Sequence, residues 1–246
     1  MNVMTHNGAT NALLDRLPRS ERAALVDVSS RTLLARGDVL ALAHRPIRAV
    51  YFPLAGFASF VLPLDGHASL ALGIVGREGM VGALFARGAN AGPLTSIVHA
   101  DGAAWRVPTD AFVGLLGRCP RLRRDVERAL SAQLAQLARS IGCLHFHPIE
   151  QRLACWLVLA EAEVPHGLLH FTHQQLADLL GVQRGAVTLA AGTLHRQGLI
   201  DYSRGVITVV TRPGLRAAAC RCCDPGPRVR HASALPSAPI SVHATG

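Results

Sequence analysis

The sequence predicts an α+β fold, with an antiparallel β barrel or roll in the N-terminal half, one long helix after it, and a helix-turn-helix with a β-hairpin at the C-terminal side. Three observations predict this fold. Short apolar runs separated by Gly or Pro fill residues 31–107, which is typical of successive strands and turns. After Pro120 the apolar spacing becomes helical. Residues 171–210 combine a helix start, a tight turn and two alternating segments.

Composition restricts the functions that the chain can have. It has 246 residues, 50% of them hydrophobic, which is enough for one large domain or two small ones. All 25 basic side chains are Arg, and with 16 carboxylates the formal charge is +9, which favours nucleic acid or an anionic membrane as a partner. No uncharged run reaches the roughly 18 to 20 apolar residues of a membrane span, and residues 1–11 lack the pattern of a secretory signal. We therefore expect a cytoplasmic protein with no membrane partner.

Common enzyme motifs are missing from the chain. It contains no Gly-x-Ser-x-Gly, no phosphate-binding Gly-rich loop with Lys, and no His-Glu-x-x-His. The lack of any lysine also removes Schiff-base chemistry. We expect that the protein is not an enzyme.

The N-terminal half begins with a helical pattern at residues 13–28 and continues as strands. Strands are expected at residues 49–52, 59–62 and 68–75, each closed by the Pro or Gly that follows it. Closely spaced strands without an intervening helical pattern indicate an antiparallel barrel or roll.

The long helix begins at Pro120, since proline fits the first turn of a helix. Its apolar residues recur at steps of three and four and form one stripe over about six turns: Leu122, Val126, Leu130, Leu134, Leu137 and Ile141. Arg and Gln side chains, including Gln133 and Gln136, occupy the opposite face. The stripe suits packing against the chain's own barrel or against a copy of the helix, and we favour a symmetric dimer. His147 before Pro148 ends the helix.

The C-terminal region carries the most specific pattern in the chain. Thr172 followed by Gln175 forms a capping box, which begins a helix. The small Ala177 permits a close helix crossing, Gly181 supplies the positive φ of a tight turn, and Val187 fills the angle between two helices. An ordinary helical hairpin is the alternative to this helix-turn-helix.

A hairpin follows the second helix directly. Residues 198–202 and 205–210 alternate like two strands around the turn at 203–205. Together with the preceding helices, this hairpin predicts a winged helix-turn-helix.

At this point the whole chain resembles the Crp/Fnr family of bacterial transcription regulators. Residues 171–182 (FTHQQLADLLGV) and 197–200 (QGLI) are similar to its DNA-binding domain, and residues 50–56 (VYFPLAG) and 75–82 (VGREGMVG) to its N-terminal domain. The resemblance implies a double-stranded β-roll of the cyclic-nucleotide-binding type. It also implies three partners: double-stranded DNA, a second copy of the chain and RNA polymerase.

The expected domains follow from this resemblance and from composition. The β-roll occupies residues 13–118, a dimerisation helix and hinge residues 119–147, and the winged helix-turn-helix residues 148–220. Residues 221–246, rich in proline and without apolar periodicity, are expected to form a disordered tail.

The β-roll departs from family members that bind cyclic AMP. These members hold the ribose with a glutamate and the phosphate with an arginine, since a buried phosphate needs a charge-assisted partner. Ala83 stands where the glutamate belongs, no arginine occurs at residues 94–96, and Arg87 would need a different loop. We expect no cofactor and no cyclic nucleotide in the usual mode. The roll is then a scaffold or holds another effector, at Gly79, Val81, Gly82, Thr95 and Ser96.

The cysteines fall into two groups. Cys119, Cys143 and Cys155 stand singly in apolar stretches and are expected to be buried thiols. Cys220, Cys222 and Cys223 form one short segment, which by itself supplies too few spaced ligands for tetrahedral zinc, so we predict no metal site.

The residue pattern also bears on other sensing chemistry. Residues 1–40 contain no Cys, which excludes the N-terminal iron-sulfur cluster of some family members. His145 and His147 are expected to contact free carbonyls at the helix end rather than a metal. A metal- or thiol-redox-responsive regulator acting through the C-terminal cysteines is the alternative function.

The second helix of the helix-turn-helix also departs from the family pattern. Arg184 matches an arginine that reads base edges, but Gly185 and Leu189 replace a glutamate and a second arginine, so we expect a different half-site. The predicted DNA-binding residues are Gln183, Arg184 and Thr188 in the groove, with Thr172 and Arg204 at phosphates. Arg196 is the weakest candidate for a phosphate contact. The sequence therefore predicts a dimeric regulator whose recognition helices enter successive major grooves, with a signal transmitted about the hinge at His147 and Pro148.

Overall fold

The computed structural model describes residues 10–65, 69–83, 91–164 and 167–223. The N-terminal part consists of α1 (Ala12–Asp15), α2 (Arg19–Asp27), β1 (Ser30–Leu34), β2 (Val39–Ala41), β3 (Ala49–Leu62), β4 (Leu70–Val75), β5 (Thr95–Pro108) and α3 (Thr109–Arg118). The long helix is α4 (Pro120–Phe146). The C-terminal part consists of α5 (Ile149–Glu161), β6 (Leu168–His170), α6 (His173–Leu180), α7 (Arg184–Arg196), β7 (Ile200–Ser203), β8 (Val206–Val209), α8 (Arg212–Ala218) and a 3₁₀ turn (Arg221–Cys223).

The N-terminal sheet is antiparallel throughout. Its strands lie in the order β1-β5-β3-β4, and β2 pairs with the other end of β5. The C-terminal part has its own antiparallel sheet in the order β6-β8-β7. The predicted α+β class, with a β-roll before a long helix and a winged helix-turn-helix, is confirmed.

Strand β3 is longer than the sequence pattern predicts. The expected end at Pro53 is wrong, because β3 continues to Leu62 opposite β5, with its register shifting between Pro53 and Ala55 and again around Phe57. Proline lacks an N–H donor but is tolerated at such irregularities. Gly56 has φ +73°, and a Cβ there would collide with the carbonyl oxygen of Ala100.

Two other predicted boundaries differ from the structure. The helical pattern at 13–28 forms two helices rather than one, because Pro18 interrupts it and precedes α2. The strand expected at 68–75 is observed as Leu70–Val75, and Ala68 lies outside the described residues.

Helix α4 packs along its own chain over much of its length. Leu122 and Val126 are fully buried in the core with Phe112 and Leu115, and Leu130 packs at the edge of the same core. Leu137 packs against the core inside the sheet. The predicted dimer stripe is therefore wrong for Leu122 and Val126, which have no surface left for a partner.

The polar face of α4 also differs from the expected one, because part of it faces the chain's own β-roll. Gln133 is buried, and its Nε2 donates to the carbonyl oxygen of Met80 at 2.9 Å. The Nε2 of Gln136 donates to Ile74 O at 3.3 Å, and the hydroxyl of Ser140 donates to Leu72 O at 2.8 Å. These hydrogen bonds hold α4 against β4 and the turn after it. The face of α4 that carries Gln133 and Gln136, which was expected to face away from the packed side, therefore faces the β-roll.

The C-terminal part folds around α5. Leu153 and Leu157 are fully buried and share a core with Leu176 of α6 and Val187 of α7. Helix α4 ends at Phe146 and α5 begins at Ile149, as the His147–Pro148 pair predicts. Strand β6 and helix α8 were not predicted, since three residues and seven residues are too short for a periodic signal.

The N-terminal and C-terminal parts meet through a cluster of aromatic rings. The ring of His99 on β5 lies 5.8 Å from Phe57, 6.1 Å from Trp156 and 5.6 Å from Phe171, measured between centroids. Nε2 of His99 is hydrogen-bonded to the hydroxyl of Ser59 at 2.7 Å. Within the described ranges, no helix has both the length and the apolar character that a membrane span requires.

Candidate DNA-binding site

The first helix of the helix-turn-helix begins with the predicted capping box. Thr172 Oγ1 accepts from Gln175 N at 3.2 Å, and Gln175 Oε1 accepts from Thr172 N at 3.0 Å. Both orphan N–H groups are satisfied by side chains at the helix start. The threonine hydroxyl is therefore engaged in holding α6, while the residue itself stays exposed.

The turn between the two helices has the predicted geometry. Gly181 ends α6 with φ +63°, a left-handed conformation that a residue without Cβ adopts easily. The amide of Val182 donates to Ala177 O at 3.0 Å, which closes the turn. Ala177 and Val187 are fully buried where α6 and α7 cross. The helix-turn-helix assignment is confirmed.

Helix α7 presents a face to solvent that no other described element covers. Gln183 precedes the helix, and Arg184 and Thr188, one turn apart, are exposed on the same face. Leu189 is 73% exposed on the same helix. These residues can therefore reach into a groove.

The wing continues this surface. Arg204 and Gly205 form a two-residue turn between β7 and β8 with φ of +50° and +80°, the signs that a type I′ hairpin needs. Arg204 is exposed at its tip. A hollow of about 260 Å³ is lined by Thr172, Arg184 and Gly205, so the start of α6, the start of α7 and the wing meet at one surface.

Three aromatic residues of this surface were not predicted. The Tyr202 ring on β7 lies 5.2 Å from the His173 ring and 5.4 Å from the His195 ring. His173 Nδ1 is hydrogen-bonded to Thr188 Oγ1 at 3.0 Å, and the Thr188 hydroxyl also lies 3.0 Å from Arg184 O. No spacing in the sequence links residues on two helices and a strand, so only the folded structure reveals this stack.

Burial and charge set the state of His173. Partial burial lowers its pKa, and the nearby positive charge of Arg184 lowers it further. His173 is therefore a neutral hydrogen-bonding partner of Thr188 rather than an extra cation near neutral pH.

Four of the five residues proposed for an effector line neither of the two cavities found among the described residues. Val81 and Ser96 are buried by packing within the roll, Thr95 Oγ1 accepts from Ala43 N at 3.1 Å, and Gly82 packs tightly on Val50. A cavity of about 410 Å³ instead lies between β4, α4 and the C-terminal part, and of the five predicted residues it is lined only by Gly79. Arg87 lies outside the described residues.

Three polar atoms of residues that line this cavity have no hydrogen-bond partner in the described part of the chain. They are Gln133 Oε1, Arg139 Nε and Trp156 Nε1, and all are buried. A buried polar atom without a hydrogen-bond partner raises the free energy of the folded state.

Cys119, Cys143 and Cys155 are buried free thiols, as the sequence predicts. Cys143, Cys155, Cys220 and Cys223 form one buried cluster between the end of α4, α5 and the segment after α8, whereas Cys119 is buried in the β-roll core. The tail expected from residue 221 is wrong at its start, because Arg221–Cys223 form a 3₁₀ turn and Cys223 is buried. Burial, with the nearby Cys220 thiol, raises the pKa of Cys143 to about 12.

The architecture defines a class of protein: a winged-helix DNA-binding domain joined through a long helix to a β-roll. Residues 151–218 match the family described as the Crp-like helix-turn-helix domain. The transcriptional regulator SdrP of Thermus thermophilus is 33% identical over 106 residues, which cover 41% of this chain and 52% of that protein. The chain thus matches about half the length of this relative.

Solved structures of regulators share the fold. A Crp/Fnr family transcriptional regulator of Eubacterium rectale superposes with a TM-score of 0.67 at 16% identity, covering 84% of this chain and 96% of that one. A CRP/FNR family regulator of T. thermophilus gives a TM-score of 0.62 at 26% identity, with coverage of 77% and 98%. The chain thus shares the fold of these regulators and carries a Crp-like helix-turn-helix domain.

Proposed function

We propose that the chain is a sequence-specific DNA-binding transcription regulator that acts as a symmetric dimer. One observation carries this proposal: Arg184, on the uncovered face of α7, lines one hollow together with Thr172 and the wing residue Gly205, and Arg204 beside Gly205 is exposed. An exposed helix face that is flanked by a polar residue and a basic wing residue fits the major groove, with the wing at the backbone.

The side chains divide into base-reading and phosphate-binding groups. Arg184 can hold guanine O6 and N7 with two hydrogen bonds, and Gln183 and Thr188 offer further polar contacts. Thr172 and Arg204 would contact phosphates. Leu189 replaces a second base-reading arginine and is exposed, so it would contact a thymine methyl group. The DNA half-site would then differ from the one that family members with the second arginine recognise.

The dimer would form along the face of α4 that the β-roll leaves open. The exposed residues of this face follow a three-four spacing: Ser131, Leu134, Ala138, Ile141 and His145. Leu134 is 67% and Ile141 is 65% exposed. Such spacing is the heptad pattern of a two-helix seam. This seam retains two residues of the predicted stripe, Leu134 and Ile141. It does not include Leu122 and Val126, which are buried in the chain's own core.

The signal would act on the junction between the β-roll and the DNA-binding domain. The cavity of about 410 Å³ there offers unpartnered polar atoms to a small effector other than cyclic AMP. Rotation about His147 and Pro148 would carry the signal to α7, and RNA polymerase would be the further partner on promoter DNA. The metal- or thiol-responsive alternative is favoured by the clustering of cysteines at the same hinge.

Selection of bound fragments from random duplex DNA tests the proposal. We expect a twofold-related motif whose affinity falls steeply with salt. Arg184→Ala should weaken binding about 10- to 100-fold and relax one base position, whereas the exposed β-roll variant Arg45→Ala should bind as the wild type does. A protein that enriches no sequence, or an Arg184→Ala variant with unchanged preference, would refute the proposed function.

A further inference from the structure

Four potential metal ligands converge at the junction of α4 and the C-terminal domain. Cys143 lies in the last turns of α4, and His147, four residues later, lies on the same side of the chain. Cys220 and Cys222 come from the segment that follows α8. The fold thus brings together a pair from one end of the long helix and a pair from the end of the DNA-binding domain.

The distances among these groups match a tetrahedral site. Cys143 Sγ lies 3.4 Å from Cys220 Sγ, and Cys222 Sγ lies 3.6 Å from His147 Nδ1. The four ligand atoms all lie within 4.8 Å of one another. Around one zinc ion with Zn–S bonds of about 2.3 Å, neighbouring sulfurs stand about 3.8 Å apart. Small side-chain adjustments would therefore bring all four atoms to bonding distance.

The donor set selects the kind of metal. Three thiolates and one imidazole are soft to borderline ligands, which favour Zn²⁺ over hard cations such as Mg²⁺ or Ca²⁺. Four protein ligands leave no open position, which is typical of structural rather than catalytic zinc. Cys143 and Cys220 are buried, whereas His147 and Cys222 are half-buried, so solvent has access to one side of the group.

We propose that Cys143, His147, Cys220 and Cys222 form a tetrahedral Zn²⁺ site that fastens the end of α4 to the end of the DNA-binding domain. Binding converts three thiols to thiolates, which form three Zn–S bonds, and releases three protons to solvent. His147 belongs to the hinge, so the bound ion would restrict rotation of the DNA-binding domain. That restriction rests on the proposed DNA-binding function, whereas metal binding itself does not.

A metal titration of the full-length protein tests the site without DNA. Protein purified under reducing conditions is stripped of metal and titrated with Zn²⁺, with metal content measured by elemental analysis. We expect one ion per chain. Co²⁺ in its place should give thiolate-to-metal charge transfer and d–d bands of tetrahedral intensity. A protein that binds no Zn²⁺, or whose Co²⁺ spectrum is octahedral, overturns the proposal without any variant being made.

Neighbouring cysteines provide matched controls. Cys222→Ser and His147→Gln should weaken Zn²⁺ binding by more than about 100-fold, since loss of outer-shell partners alone costs about 10- to 100-fold. Cys223→Ser should keep wild-type affinity, because the Cys223 thiol donates to Cys220 O at 3.1 Å and lies outside the group of four. Cys119→Ser, in the β-roll core, should also keep it. Circular dichroism verifies that each variant is folded.

The outcomes separate the site from its rivals and from the proposed function. Equal Zn²⁺ affinity in Cys222→Ser and Cys223→Ser overturns the proposed ligand set. Peptide mapping that finds a Cys143–Cys220 disulfide in reduced-and-repurified protein also overturns it, in favour of redox chemistry. If Zn²⁺ binds as expected and no DNA sequence is selected, the metal site stands and the DNA-binding function is refuted. If a DNA sequence is selected and no Zn²⁺ binds, the DNA-binding function stands and the metal site is refuted.

Discussion

Arg36 of the β-roll donates a 3.0 Å hydrogen bond to Oε1 of Gln175, the residue that completes the capping box of α6. The guanidinium of Arg36 also lies 5.5 Å from the centre of the Phe171 ring, within range of a cation–π contact. The start of the helix-turn-helix is thus attached to the β-roll 139 residues away. A conformational change in the β-roll at Arg36 would therefore alter the start of α6, which belongs to the surface that we propose for DNA binding.

Removing this attachment should loosen α6 without unfolding the protein. Arg36→Ala is expected to increase amide hydrogen exchange over residues 171–180, because the side chain that fixes Gln175 is gone. The contact is exposed, so the thermal midpoint should change little. The control is Arg45→Ala, also an exposed arginine of the roll. Equal exchange in the two variants would show that the contact does not hold the domain.

Gly181 is expected to resist substitution for backbone reasons. Its φ of +63° is left-handed, and an L-residue there costs roughly 1–2 kcal/mol. A Cβ would also lie 2.8 Å from Cδ1 of Leu70, but that atom ends a flexible side chain and can move. Gly181→Ala should therefore lower the free energy of unfolding by about 1–2 kcal/mol, as measured by urea denaturation.

Gly185 in α7 is the matched control for this change. A Cβ there meets no atom within 4 Å, and the backbone is helical. Gly185→Ala should be neutral or stabilising by up to about 1 kcal/mol, since alanine is the better helix former. Equal destabilisation by the two substitutions would contradict the turn geometry.

The cluster of aromatic rings around His99 predicts that the folded protein loses stability in acid. Burial, followed by the positive charge of Arg36, lowers the pKa of His99 from 6.5 to about 4. The unfolded chain then binds a proton below pH 6.5 that the folded chain refuses until about pH 4. The stabilisation is complete above pH 6.5 and is lost as the pH falls towards 4.

Urea unfolding at two pH values measures this effect. Between about pH 7.5 and about pH 5, His99 should account for a loss of about 2 kcal/mol. His99→Gln keeps a polar group near Ser59 but does not titrate. Between the two pH values, the free energy of unfolding of this variant should therefore fall by about 2 kcal/mol less than that of the wild type. Parallel pH profiles for wild type and variant would show that His99 is not the cause.

The open face of α4 predicts the oligomeric state. Leu134→Glu combined with Ile141→Glu should convert a dimer into a monomer, because like charges would replace the apolar seam residues. Leu33→Glu, at an equally exposed leucine of β1, should leave the dimer intact. Sedimentation analysis distinguishes these outcomes. A dimer that survives the double substitution would place the interface elsewhere.

The sequence by itself determined the features that depend on near neighbours. The capping box of Thr172 and Gln175, the positive φ at Gly181, the hairpin turn at Arg204 and the end of α4 before Pro148 all depend on residues a few positions apart. Their chemistry is decided by local backbone sterics and hydrogen bonds. These elements formed where the pattern placed them.

Only the tertiary structure decided how distant segments meet. The pattern of α4 could not show that Gln133 would bond to Met80 O while Leu134 stayed exposed, because a stripe that is apolar on one side does not specify its partner. Nor could it show that Cys143 would meet Cys220, since that contact joins residues 77 positions apart. The burial that sets such contacts is a property of the packed chain, whereas propensity is a property of each segment.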